Sequence, residues 1–287
     1  MILIDYSQVA IAAALKSMKD TKHLDENLIR HMILNSLRYH NTNFKEEFGQ
    51  LVVAVDSSNS WRKNYFSEYK ANRKIAREKS PIDWNKLYHI TNKVLHEIRT
   101  KFQFIVLEIF NLEADDIIAI ICKYISLQTE QNVIISRDKD FFQLSAKYDN
   151  IKQYSPIDRN FLSADISYLK KHIISGDKGD WIPNIFSDSC SKQVSLTKKR
   201  LTEANNDFQG TFYFAYNGNN KDLERRFSRN MQLIQFDFIP NEFISLIQKE
   251  CISEQKRVDD VNLINTYTYM LSKNLNILKE KIEDFRK

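Results

Sequence analysis

Glycine is scarce in this 287-residue chain: 5 residues, where an average usage of about 7% would give roughly 20. Phosphate-cradling loops of the GxGxxG or Walker type need glycines at close spacing, and only Gly176 and Gly179 lie within five residues of each other. Nucleotide-dependent activities that rest on such loops are excluded. The three cysteines, Cys122, Cys190 and Cys251, are far apart and odd in number. That argues for a reducing, cytoplasmic setting and against a disulfide framework or a zinc site. The six histidines form no HxxxH pair. No apolar run approaches the roughly 18 residues of a membrane span, and the N-terminus reaches Asp5 after four apolar residues, unlike a signal peptide.

What the chain does have is the balance of a soluble globular protein with a sizeable core, with 43% hydrophobic and 28% charged residues. At about 150 residues per domain, that length suggests one large domain or two. Lysine and arginine exceed aspartate and glutamate by 42 to 37, a net charge of +5. The excess is concentrated. Residues 61–79 carry Arg62, Lys63, Lys70, Arg73, Lys74, Arg77 and Lys79 against Glu68 and Glu78, and so match the net charge of the whole chain. Trp61, Tyr65, Phe66 and Tyr69 are interleaved with these cations, and neither Gly nor Pro occurs between Gly49 and Pro81. The segment reads as a helix or helical hairpin, and residues 84–102 as a further amphipathic helix. Cations with interleaved aromatic faces suit single-stranded nucleic acid; a solvated helix face with its aromatics turned inward is the ordinary alternative.

Short apolar runs in the first half end on acids. Ile2-Leu3-Ile4 stops at Asp5, and Leu51-Val52-Val53-Ala54-Val55 at Asp56. Phe104-Ile105-Val106-Leu107 leads to Glu113, Asp115 and Asp116, and Val133-Ile134-Ile135 to Asp138 and Asp140. Continuous apolar runs separated by helical stretches predict strands buried on both faces of a parallel sheet, and such sheets bind ligands beyond their carboxyl ends. Ile117 to Ile121 reads as a buried helix whose first turn holds the acids. Gly176-Asp177-Lys178-Gly179-Asp180 adds two carboxylates in a glycine-punctuated turn after a helical stretch at 165–174. Taken singly, each acid has an ordinary role as an N-cap or a helix-dipole partner. Nine together, Asp5, Asp56, Glu113, Asp115, Asp116, Asp138, Asp140, Asp177 and Asp180, need cations, because like charges raise one another's pKa. Oxygen donors favour hard divalent ions, Mg²⁺ first with Mn²⁺ substituting. Two such ions about 3.5–4 Å apart clamp both oxygens of a phosphodiester displacement.

These motifs, in this order, resemble the 5′-nuclease family, which includes flap endonucleases and the 5′-nuclease domain of bacterial DNA polymerase I, and within it the bacteriophage ribonucleases H. The resemblance is carried by Leu3-Ile4-Asp5-Tyr6-Ser7-Gln8, Val55-Asp56, Trp61-Arg62-Lys63, Tyr69-Lys70-x-Asn72-Arg73, Ala76-Arg77-Glu78 and Glu113-Ala114-Asp115-Asp116. Ser136-Arg137-Asp138-Lys139-Asp140-Phe141, Gly176-Asp177-Lys178-Gly179-Asp180 and the run 233–240 complete it. It implies that Asp5, Asp56, Asp115 and Asp138 surround a first metal with Glu113 ordering its water shell, and that Asp140, Asp177 and Asp180 serve a second; Asp116 matches the motif. It implies a helical arch in which Lys70 and Arg77 reach the scissile phosphate, Tyr69 stacks on a base, and Arg62, Lys63, Arg73 and Lys74 follow the strand. Lys198 and Lys199 would touch duplex backbone. The pattern departs from the family at Trp181, where Asn usually follows the last Asp, and in having no glycine between Gly179 and Gly210, which puts a monovalent-ion site in doubt.

The expected fold is α/β: a central, mostly parallel sheet flanked by helices, with a helical arch and a smaller C-terminal helical lobe. Residues 1–175 would form the nuclease core, with the arch at about 57–84, and 176–287 a mainly helical duplex-binding lobe. Residues 205–220 read as a loop, and Leu275, Leu278, Ile282 and Phe285 as core positions. The implied activity is Mg²⁺-dependent 5′→3′ exonuclease, flap endonuclease and ribonuclease H action on RNA–DNA hybrids, duplex DNA and 5′ flaps, removing RNA primers during phage replication in the host cytoplasm. The expected state is a monomer, with a single-stranded-DNA-binding protein and a sliding clamp as partners by resemblance. A PIN-type endoribonuclease also places acids at strand ends but lacks a basic aromatic arch. A binding protein with a decayed metal site would have lost some of the acids.

Overall fold

The computed structural model describes residues 1–21, 23–126, 129–165, 167–209, 215–216 and 220–287. The chain begins β1 (Ile2–Asp5), α1 (Tyr6–Thr21), α2 (Glu26–Phe48) and β2 (Leu51–Val55). It continues α3 (Trp61–Tyr65), α4 (Asn72–Glu78), α5 (Trp84–Lys101), β3 (Ile105–Glu108), α6 (Ala114–Ile120), β4 (Asn132–Ile135) and α7 (Phe142–Ser145). Next come β5 (Ile151–Ser155), β6 (Asn160–Phe161), α8 (Ser167–Ser175), α9 (Lys198–Asp207), β7 (Phe208–Gln209) and β8 (Ala215–Tyr216). The last elements are α10 (Lys221–Ile234), α11 (Glu242–Asp260), α12 (Leu263–Ser272) and α13 (Asn276–Lys279). No helix among the described residues is long and apolar enough to cross a membrane.

The six-stranded sheet has the order β3-β2-β1-β4-β5-β6. Its first five strands are parallel and β6 is antiparallel to β5. Ile2 is paired with Leu51 on one side and Val133 on the other. The apolar runs read from the sequence are therefore β1, β2, β4 and the edge strand β3, buried as continuous apolar segments demand. β5 and β6 were not anticipated: Ile151-Lys152-Gln153-Tyr154-Ser155 mixes polar with apolar residues and carries no unbroken hydrophobic run. Helix ends follow local chemistry. Asp25 caps α2 by accepting from the Leu28 N–H at 2.8 Å, and Gly49 ends that helix with φ 78°, a conformation that suits glycine.

Two compact units result: Met1–Ser60 with Pro81–Ala164 and Pro240–Lys287, and Trp61–Ser80 with Asp165–Ile239. This division differs from an expected boundary at 175/176, because the C-terminal helices return to the sheet. α11 covers the open edge strand β3: buried Glu254 accepts the Val106 N–H at 2.9 Å, and Arg257 donates to the carbonyls of Arg99 and Phe104. Covering an edge strand satisfies backbone groups that would otherwise face solvent. A buried ion network ties α12 to the same unit. Arg30, 1% exposed, bonds Glu97 at 2.7 Å and Glu26 at 2.6 Å, and Tyr269 donates to Glu97 at 2.8 Å. Leu275, Leu278 and Phe285 are buried in the same core, as their spacing implied.

In the second unit α8 and α10 pack through Leu169, Ile173, Ile174, Leu223, Phe227 and Leu233. Buried Asn230 donates to the carbonyls of Ile173 and Pro183, both at 2.8 Å, pinning the turn that follows α8. α9 extends through Asp207 and is followed by the β7–β8 pair, so part of the loop expected at 205–220 is regular; residues 210–214 and 217–219 lie outside the described residues.

Candidate functional site

Four chain segments of the first unit bring their acids to the carboxyl end of the sheet. β1 ends on Asp5, whose carboxylate accepts the Gln8 N–H at 3.3 Å in the first turn of α1. Asp56 follows β2 and accepts on both oxygens, from the Ser7 hydroxyl at 2.6 Å and from the Ala114 N–H at 2.9 Å. It thereby joins the starts of α1 and α6, where helix dipoles favour negative charge. At the start of α6, Glu113, Asp115 and Asp116 each present a carboxylate oxygen within 4.8 Å of the others. Asp116 is fully buried and accepts the Glu113 N–H at 3.2 Å, half of a capping box. Beyond β4, exposed Asp138 accepts the Asp140 N–H at 3.0 Å.

The electrostatics of this group favour a cation. Burial pushes the Asp5 carboxyl up to about 7, and the charges of Asp56 and Asp138 add to the rise, against the Gln8 and Ser7 N–H groups that lower it. The donors are carboxylate oxygens, the set that hard divalent ions take. The residues present therefore fit a divalent metal, with Asp5, Asp56, Glu113, Asp115, Asp116 and Asp138 as the group that could hold it.

Asp177 and Asp180 lie in the second unit, in the turn after α8. Gly176 opens it at φ 69°, and a Cβ there would meet the Ile182 carbonyl oxygen at 2.3 Å, so only glycine fits. Asp177 Oδ1 accepts the N–H groups of Gly179 at 2.6 Å and Asp180 at 3.0 Å, and Asp177 Oδ2 lies 3.1 Å from His172 Nε2. Burial raises the Asp177 carboxyl, but the His172 hydrogen bond and these N–H groups outweigh it and hold the carboxyl near 2. Asp180 takes Tyr69 Oη at 3.1 Å and Lys70 Nζ at 3.6 Å on one oxygen, and Arg73 at 2.6 Å on the other. Trp181, where the family pattern has Asn, sits at φ 58°, in the left-handed region that Asn enters more readily than Trp.

The basic segment is a broken helical hairpin, α3 and α4, with Lys70 at φ 57° between them. The structure corrects two of its residues. Arg62 is 2% exposed, donates to the Leu233 carbonyl at 2.8 Å and lies over the Trp61 ring at 4.7 Å. Tyr69 is also 2% exposed, part of the second unit's core. Neither presents a face to a nucleic acid: the Trp61 and Tyr69 rings turn inward and Arg62 goes with them, while Tyr65 stays exposed. Lys63, Arg73, Lys74 and Arg77 are exposed, and no residue of α4 is buried. Lys198 and Lys199 are exposed at the start of α9.

Four supporting residues escaped the sequence reading. Ser7 stands inside the family motif Leu3-Ile4-Asp5-Tyr6-Ser7-Gln8, two residues after Asp5, and that position is its local signal. Ser136 likewise opens the family motif that holds Asp138, whereas His172 and Gln153 carry no local signal.

The first 178 residues match the model of the 5′-3′ exonuclease N-terminal resolvase-like domain, and the chain belongs to this family of nuclease hydrolases. It is 31% identical to the ribonuclease H of Enterobacteria phage T4 over 99% of this chain and 95% of that protein. It is 30% identical to a 5′-3′ exonuclease of Buchnera aphidicola over 52% of this chain and 53% of that one. Among solved structures, the T5 D15 protein co-crystallised with metal ions superposes with a TM-score of 0.63 at 18% identity, over 88% of this chain and 98% of that one. That last likeness shows a shared fold.

Proposed function

We propose that the chain is a Mg²⁺-dependent 5′→3′ exonuclease and flap endonuclease with ribonuclease H activity, acting on RNA–DNA hybrids, duplex DNA and 5′ flaps. The observation that carries the reading is the gathering of Asp5, Asp56, the cluster of Glu113, Asp115 and Asp116, and Asp138 at the sheet's carboxyl end. There burial and the neighbouring charges of Asp56 and Asp138 hold the Asp5 carboxyl high, and a bound cation would let these groups ionise together. The six acids named above would hold one ion; Asp140, Asp177 and Asp180 are our candidates for a second. Divalent ions, when bound, supply water activation and the positive charge that a phosphodiester displacement needs. Asp56 orients the starts of α1 and α6 and so sets the spacing of the surrounding carboxylates. Lys70 and Arg77 would neutralise charge developing on the phosphate. Lys63, Arg73 and Lys74 would hold the strand, with Lys198 and Lys199 on duplex backbone; Arg62 and Tyr69 keep the hairpin in shape.

The setting we propose is RNA-primer removal from lagging-strand fragments in the cytoplasm of a phage-infected cell, by a monomer that meets a single-stranded-DNA-binding protein and a sliding clamp. Support comes from the phage ribonuclease H likeness along nearly the whole chain. The test is cleavage of a 5′-labelled flap and a 5′-labelled RNA–DNA hybrid, each with Mg²⁺ and with EDTA. Short 5′ products should need Mg²⁺ and vanish in Asp138→Asn. Lys70→Ala should lower kcat about 10²–10³-fold with substrate binding retained. Wild-type protein that binds the flap and never cuts it with any divalent ion would make the chain a structure-specific binding protein instead.

A further inference from the structure

A buried carboxamide that spends its N–H donors on backbone carbonyls holds that backbone in place. Gln153 on β5 is 1% exposed; its Oε1 is buried with no hydrogen-bond partner among the described residues, and its amide acts through the NH₂ end. Nε2 donates to two backbone carbonyls of the loop after β4, that of Ser136 at 3.0 Å and that of Asp138 at 2.6 Å. Carbonyl oxygens only accept, so the NH₂ end must face them. The β4–β5 ladder makes its last bond here, from the Ser136 N–H to the Tyr154 carbonyl at 3.0 Å. Past that point the chain leaves the sheet, and Arg137, Asp138 and Lys139 are all exposed.

Ser136 is fully buried and its hydroxyl is a junction. It accepts the Asp138 N–H at 3.0 Å and the Gln8 side-chain amide at 3.1 Å. The Gln8 backbone N–H in turn donates to the Asp5 carboxylate at 3.3 Å. Gln8 thus links the two acids, its backbone N–H bonded to Asp5 and its side chain to Ser136, whose hydroxyl holds the Asp138 N–H while Gln153 holds the Asp138 carbonyl. None of the three linking side chains carries charge.

We propose that Gln153, Ser136 and Gln8 are positioning residues that set Asp138 against Asp5 for divalent-metal binding. The inference rests on the reading of these acids as a metal centre and goes one shell further. An exposed aspartate on a loop would lose conformational freedom on coordinating an ion; the relay removes that freedom beforehand, so less affinity is lost to ordering. Outer partners of this kind are worth 10–100-fold in metal affinity.

The test is Mn²⁺ binding to the full chain without nucleic acid, followed by electron paramagnetic resonance. It is run beside Tm, and beside kcat and KM at several metal concentrations. Gln153→Met keeps the volume and removes both donors. It should weaken Mn²⁺ binding about 10–100-fold and lower kcat at limiting metal, with kcat recovering as metal is raised and KM for the nucleic acid unchanged within about twofold. Gln153→Glu, which turns carboxylate oxygens toward two carbonyls, should be worse. Gln8 is exposed, so Gln8→Ala decides the matter if Gln153 variants do not fold; it should weaken Mn²⁺ several-fold. A folded Gln153→Met, or a Gln8→Ala in that case, that binds Mn²⁺ as tightly as wild type overturns the relay and leaves the metal centre standing. Wild-type protein that binds no Mn²⁺ overturns the metal centre itself, and the relay with it.

Discussion

Arg73 donates to Asp180 across 2.6 Å, which ties the basic hairpin to the turn after α8. The tie has further strands: the Lys70 N–H bonds the Asp180 carbonyl at 2.8 Å, and the Asn72 amide reaches the Lys178 carbonyl at 3.1 Å. The carboxylate proposed for a metal is thus, in this structure, the clasp of the arch. Asp180→Asn should loosen residues 69–73, and trypsin should nick the 61–79 segment several-fold faster than in wild type. An unchanged nicking rate would show that the backbone bonds suffice without the carboxylate charge.

The two arginines of the hairpin should behave oppositely. Arg62 is buried and bonded, so Arg62→Ala should destabilise by about 2–4 kcal/mol, read as a shift in denaturation midpoint. Arg77 lies on α4, none of whose residues is buried. Arg77→Ala should leave Tm within about 1 °C and lower kcat by an order of magnitude or more. Equal stability losses in the two variants would contradict this division.

The raised Asp5 carboxyl has a signed consequence for the metal-free protein. Between its ordinary value near 3.8 and the folded value of about 7, the folded state keeps a proton that the unfolded chain releases. The group's contribution to stability therefore falls as pH rises through that window. Asp5→Asn should remove the penalty, raising Tm in chelator by about 2–5 °C at pH 8 and by little at pH 4, while abolishing cleavage. A melting series across pH 4–8 checks it; identical pH slopes for the two proteins would count against it.

The Arg30 network carries the opposite sign. Lys93 and Arg30 hold the Glu26 carboxyl down to about 2, so its contribution is present above about 4.5 and is lost as pH falls toward 2. Arg30→Ala leaves Glu97 buried without its main partner and should cost about 3–5 kcal/mol. The double variant Arg30→Met/Glu97→Leu should cost less than the single one, which denaturant unfolding at pH 7 would show.

The acids at the strand ends were legible in sequence because a strand buried on both faces must be an unbroken apolar run, and the first charged residue after it marks the sheet's edge. Asp5 and Asp56 were found by that rule, Asp138 lies one residue beyond the first charged residue, Arg137, and the order of motifs gave the family. The caps at Asp25 and Gly49 are similarly local. Burial of Arg62 and Tyr69 was not legible: in a segment with cations and aromatics mixed, the face that turns inward is decided by what packs against it. Nor could local pattern show that α11 would return to β3, because Glu254 and Arg257 bond backbone groups some 150 residues away, and a charged pair on an amphipathic helix reads as solvated. Gln153 is the sharpest case. Its role depends on strand β5 lying beside β4 with Ile134 opposite it, a pairing that no residue near position 153 announces. Sequence determined which side chains carry charge and where strands stop; only long-range packing decided which polar groups are buried, and therefore which of them must be paired.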